Sequence, residues 1–88
     1  MTITEVKSKT EVDQFLNDLV YLQEEFFATA YKELEVLDLN KALANRKNLL
    51  FDLFNTLGCL TKLKKLDLSD NDLSSREIKS ASKKKKIS

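Results

Sequence analysis

Cys59, the carboxylate pair Glu24 and Glu25, the acidic stretch DLSDNDLSSREI at 67–78, and two groups of lysines are the residues of this 88-residue chain whose types could do chemistry. With no histidine in the sequence, Ser-His and Cys-His nucleophilic pairs are impossible, and base duty would fall to a carboxylate or a lysine. Glu24 and Glu25 read as a solvated helix face rather than an acid–base pair. The acidic stretch has the spacing of a calcium loop, but Asp72 stands where such loops need glycine and Ile78 where they place a bidentate glutamate. Cys59 is a lone thiol in a leucine-rich context, the setting of a buried, inert cysteine. A single glycine, Gly58, leaves no glycine-rich phosphate loop. The expectation is a non-enzymatic protein without catalytic residues, bound cofactor or metal.

The lysines offer charge without a code. Lys62, Lys64 and Lys65, and the tail Lys83, Lys84, Lys85 and Lys86, have no interleaved aromatic residues on which bases would stack. Nucleic-acid binding is therefore expected to be absent, or weak, salt-sensitive and confined to the tail. The final KKIS has the form of a dilysine retrieval signal, a reading that would need a membrane span. No segment approaches the roughly 20 apolar residues of a span, and MTITEVKSKTEVDQF has no secretory apolar run. With one cysteine, the chain reads as intracellular, cytoplasmic or nuclear.

The segments that carry these residues read as helices. The absence of proline and near-absence of glycine remove the turn punctuation that most sheet folds use. The net charge of +1 hides an asymmetry: residues 1–40 hold nine acids and three lysines, residues 41–88 twelve bases and five acids. Ser8 and Glu11 form a capping box. From there Val12, Phe15, Leu16, Leu19, Leu22, Phe26, Phe27, Ala30, Leu34 and Leu37 recur at threes and fours, which predicts one amphipathic helix over about 10–37, roughly 40 Å long. Leu39, Leu43, Arg46, Leu50, Leu53, Leu57 and Leu60 follow the 4-3 spacing of a coiled-coil seam, interrupted only by Arg46. The two apolar faces point oppositely along one straight helix, so a break at LDLNK is expected, with Asp38 or Asn40 capping the second helix and Gly58 ending it in a left-handed cap. A second capping box, Ser74 to Glu77, predicts a short helix over 75–81.

Residues 60–73, LTKLKKLDLSDNDL, do not build a helical face, because Leu60, Leu63 and Leu66 step by three. Leu60, Leu63, Leu66, Leu68, Asn71 and Leu73 fill every position of the pattern LxxLxxLxLxxNxL, and the stretch resembles one unit of the leucine-rich repeat family. LEVLDL at 34–39 lies 29 residues before LKKLDL at 63–68, a second, weaker copy with Ala42 in place of the asparagine; Leu53 and Leu57 fall where such repeats bury helix leucines. The resemblance implies a short strand on a binding surface, and an asparagine that ties its turn to neighbouring backbones. The family stacks three or more units, and with sixteen leucines in the chain the same spacing also arises within a helical protein.

The fold expected first is all-α: a helical hairpin of two long amphipathic helices, with a short third helix, completing a bundle with a partner or a second copy. Residues 1–9 would be a flexible start, 10–73 the helical interaction module, and 74–88 a short helix with a disordered basic tail. The function expected is that of a protein–protein interaction module, adaptor or structural subunit, as a homo-oligomer or in a hetero-complex. Its interface would comprise Phe15, Leu19, Phe26, Phe27, Leu34, Arg46, Leu50, Phe51, Leu53 and Leu57, because the first helix has more apolar surface than a hairpin covers. Tyr21 would add to it, and Arg46 would pair with Gln23 or Glu33. The alternatives are a leucine-rich-repeat-like fragment or cap presenting residues 63–73 to a ligand, and a nucleic-acid accessory acting through Lys83–Lys86.

Overall fold

The computed structural model describes residues 2–82. Within them strands and helices alternate: β1 (Glu5–Val6), α1 (Lys9–Tyr21), α2 (Glu24–Tyr31), β2 (Val36–Asp38), α3 (Leu50–Thr56), β3 (Lys65–Asp67) and α4 (Ser75–Ser82). Short 3-10 turns at Lys47–Leu49 and Leu57–Cys59 extend α3 at both ends. The chain is mixed α/β, which corrects the expected all-α helical hairpin. Its strands form one parallel sheet in the order β1-β2-β3. β1 lies inside the segment read as a flexible start. The basic tail, with Lys83, Lys84, Lys85 and Lys86, lies outside the described residues.

The long first helix fails at Leu22 and Gln23, whose backbones are extended, at φ −82°, ψ 143° and φ −66°, ψ 152°. The reason is aromatic. On a straight helix Phe15 and Phe27 would lie about 18 Å apart along the axis; the break brings their rings to 5.4 Å in an edge-to-face contact. Tyr31 joins them at 5.1 Å from Phe15 and 4.9 Å from Phe27, the centroid range of favourable ring pairs. The Tyr31 hydroxyl donates to Asp18 Oδ2, so its one polar atom is satisfied.

The second expected helix is also divided. Leu37 and Leu39 alternate with Val36 and Asp38, and over four residues that period of two competes with the period of 3.6 read through them. Parallel pairing decides: Val36 sits opposite Lys65, Leu37 opposite Leu66 and Asp38 opposite Asp67. Asp38 and Asn40 cap no helix. Asp38 Oδ1 instead accepts the Asn40 amide at 3.0 Å in a tight turn. Gly58 lies in the 3-10 turn after α3, and no glycine has a positive φ, so the left-handed cap is not formed. The capping boxes at Ser8–Glu11 and Ser74–Glu77 are both made, each with the serine hydroxyl accepting the glutamate amide at 3.2 Å.

Val6, Leu37 and Leu66, adjacent across the three strands, are almost fully buried, and they join the helix residues Phe15, Leu16, Phe27, Leu50, Leu53 and Leu57 in one core. The helices therefore cover one face of the sheet. The other face carries Glu5 and Lys65, both exposed, and the half-buried Val36, Asp38 and Asp67.

Candidate functional site: the outer sheet face and its flanking groove

An all-parallel sheet is ordinarily covered on both faces. Here the register places Glu5, Val36 and Lys65 in one row across the uncovered face, and Asp38 and Asp67 in the next. Lys7 follows Val6 at the end of β1 and holds Glu5 at 3.4 Å. The face is thus small and charged with both signs, around a single aliphatic side chain.

The turns that carry the chain off β2 and β3 share one construction. Asp67 Oδ1 accepts from the Ser69 amide at 2.9 Å and from its hydroxyl at 2.6 Å, as Asp38 does from Asn40; these bonds hold the Asp67 carboxyl below the usual carboxylate range. Three residues after each aspartate the backbone is left-handed, at Lys41 (φ 62°) and Asp70 (φ 60°). The two turns are joined. Leu39 N–H donates to Asp67 O at 2.8 Å and Lys41 N–H to Ser69 O at 3.1 Å, while the Asn40 amide donates to the Ser69 hydroxyl at 2.7 Å and to Asp70 Oδ2 at 3.0 Å.

Asn71 completes the connection from inside. It is the one buried polar residue of the described chain, 1% exposed. Its Oδ1 accepts the Leu43 amide at 2.7 Å, and its Nδ2 donates to Leu39 O at 2.8 Å and Leu68 O at 3.0 Å. Ala42 occupies the equivalent position in the turn after β2, and the geometry explains why no amide is needed there. β1 passes through the Ser8 cap straight into α1, whose backbone bonds internally, so no loop lies beside Ala42 to be tied.

That missing loop leaves a groove of about 540 Å³ beyond the carboxyl ends of β1 and β2, the region where open parallel sheets hold ligands. Val12, Leu16 and Ala42 form its less accessible lining, and Lys7, Lys9, Lys41 and Arg46 bring four cations against the carboxylates of Asp13 and Asp38. Arg46, expected to pair with Gln23 or Glu33, lies 3.9 Å from Asp13; Glu33 is held by Lys62 at 2.7 Å.

The other residues expected at an interface divide sharply. Phe15, Leu19, Phe27, Leu34, Leu50, Leu53 and Leu57 lie in the chain's own core, whereas Phe26 and Phe51 are exposed, at 57% and 74%, as is Tyr21. The break at Leu22 accounts for the burial of Phe15 and Phe27, since two short helices bring together aromatic surface that one long rod would leave apart. Cys59 is half-buried, and its thiol donates to Glu24 Oε1 at 3.6 Å. Burial first, then Glu24, pushes that thiol up, opposite to the shift that activates a nucleophilic cysteine. Among the described residues no group of three histidine, cysteine, aspartate or glutamate side chains is placed to hold a metal ion, and no helix is long and apolar enough to cross a membrane.

The groove residues Lys7, Lys9 and Lys41 carried no motif signal in the sequence, and Asp38 carried one only as a helix cap and as part of LEVLDL. Only the strand register brings them together. Comparison with protein families, with curated proteins and with solved structures found no match to this chain.

Proposed function

We propose that the chain is a non-enzymatic protein-binding module of leucine-rich-repeat type, which presents residues 63–73 and the adjoining outer sheet face to a protein ligand in a reducing intracellular compartment. The observation that carries this reading is the repetition, 29 residues apart (36 to 65 in the register), of a strand, an aspartate-held turn and a left-handed residue. Asn71 supports it further, because its amide bonds both turns. A face built this way is held by backbone bonds and by a side chain inside the core. Its outward residues are therefore free to serve recognition.

The test is capture of protein ligands from the native source with the intact chain and two variants. Val36→Glu places a charge at the centre of the outer face without touching the core. Phe51→Ser removes the most exposed phenylalanine from the helical side. The proposal expects a ligand retained by the wild type and by Phe51→Ser and lost by Val36→Glu; retention by Val36→Glu with loss in Phe51→Ser would move binding to the helices and overturn it.

A further inference from the structure

We propose that the groove between α1 and the turn after β2 receives an acidic peptide segment of the partner protein, with Lys9 and Lys41 as its principal contacts. The inference rests on the protein-binding reading above and deepens it by naming the chemistry of the ligand and a second place on the molecule where it docks. Charge complementarity identifies this occupant. The groove is lined by Lys7, Lys9, Lys41 and Arg46 with Asp13 and Asp38, and once Glu5 is counted against Lys7 an excess of one positive charge remains, carried by Lys9 and Lys41 opposite Asp38.

The four cations are not equivalent. Lys7 is engaged by Glu5 at 3.4 Å and Arg46 stands 3.9 Å from Asp13, whereas Lys9 and Lys41 have no carboxylate within ion-pair distance among the described residues. The carboxylate nearest in sequence to Lys41, Asp38, is engaged by the Asn40 amide. Lys41 also occupies a left-handed backbone position where the equivalent residue of the next turn is aspartate, a residue that tolerates this conformation better than lysine does. Lysine at that point faces a groove already lined by three other cations. A groove with an aliphatic lining of Val12, Leu16 and Ala42 and basic walls fits a peptide that alternates acidic and aliphatic side chains, with the acids reaching the lysines and the aliphatic groups resting near Val12 and Ala42. Complementarity of this kind contributes mainly to association rate and to the choice of partner, and it weakens as salt screens it.

The experiment measures binding of a fluorescent peptide of alternating glutamate and leucine to the full chain by anisotropy, at low and at physiological salt. Lys9→Glu with Lys41→Glu should weaken binding about ten-fold or more. Lys83→Glu with Lys84→Glu changes the net charge equally at the other end of the chain and should leave binding within about two-fold. Lys9→Gln with Lys41→Asn is a milder pair, in which asparagine suits the left-handed backbone; it should weaken binding in the same direction while the circular dichroism spectrum is unchanged. Equal losses in the groove and tail pairs would mean general attraction to a basic chain, and would overturn the proposal. So would binding of inorganic tripolyphosphate through Lys9 and Lys41 with no binding of the peptide, since the groove would then be a phosphate site. Failure here leaves the outer-face reading testable by itself, because Val36 does not line the groove.

Discussion

Asn71 Oδ1 accepts the amide of Leu43 at 2.7 Å across 28 residues of chain, and the same side chain donates to Leu39 O. One buried amide thus satisfies both ends of the turn that follows β2. Replacing it with alanine strands the Leu43 amide and the Leu68 carbonyl, while Leu39 O keeps its bond from the Ala42 amide; the loss costs about 2–3 kcal/mol. Asn71→Asp keeps the acceptor for Leu43 but sets a carboxylate against the Leu39 and Leu68 carbonyls, so it should be at least as damaging at neutral pH. Urea denaturation followed by circular dichroism checks both. A loss under about 0.5 kcal/mol for Asn71→Ala would show that the turns hold without the tie.

Tyr31 and Asp18 make a second long-range bond, from α2 to α1. Burial first, then the hydrogen bond to Asp18 and its charge, pushes the Tyr31 phenol well above the ordinary tyrosine range. A folded pKa raised above the unfolded value contributes stability that is fully present below the unfolded pKa of about 10 and is lost as the pH rises beyond it. Tyr31→Phe should cost about 1–2 kcal/mol at neutral pH while removing this alkaline loss. In a Tyr21→Phe background, the tyrosinate absorbance of Tyr31 should rise only together with loss of helical signal.

How far the fold was legible can be read from individual residues. Both capping boxes were visible because their chemistry is local: Ser8 with Glu11, and Ser74 with Glu77, lie three residues apart and need no tertiary partner. Leu34 and Leu37 misled because they continue a helical spacing that ends in space at Tyr31. Nothing within the chain's first 40 residues reveals that Val36 will pair with Lys65. Phe26 and Phe27 show the same limit, since both fit the predicted apolar stripe, but the extended backbone at Leu22 and Gln23 turns one outward and the other into the core. Asn71 carried a signal through its spacing from Leu66 and Leu68, yet that spacing could not show which backbone groups the amide would reach. The groove was invisible for a simpler reason: its lysines come from two separate segments.

The two capping glutamates predict a defined acid response. Bonds from the Ser8 amide first and then the Lys7 amide, with the Ser8 hydroxyl nearby, hold Glu11 below its ordinary range, and the Ser74 amide holds Glu77 below its own. A depressed folded pKa contributes stability that is present above the unfolded carboxylate pKa and is lost as the pH falls through the folded value. Thermal midpoints should therefore fall as the pH drops below the ordinary carboxylate range. Glu11→Gln with Glu77→Gln should start from a lower midpoint at neutral pH and show a shallower acid decline. A parallel decline in the wild type and the double variant would mean that other carboxylates govern the acid limb.

Leu53 and Phe51 lie two residues apart in α3 and should respond in opposite ways. Leu53 has no accessible surface, whereas Phe51 is 74% exposed. Leu53→Ala removes core atoms and leaves a void between α3 and the sheet, at a cost of about 2–5 kcal/mol. Phe51→Ser removes a ring already in water and should change stability by no more than about 0.5 kcal/mol. Denaturant midpoints of the two variants measure the contrast directly. Equal, large losses would mean that the Phe51 ring is covered by a second copy at the concentration used, and sedimentation of the wild type at several concentrations would then show an associated species.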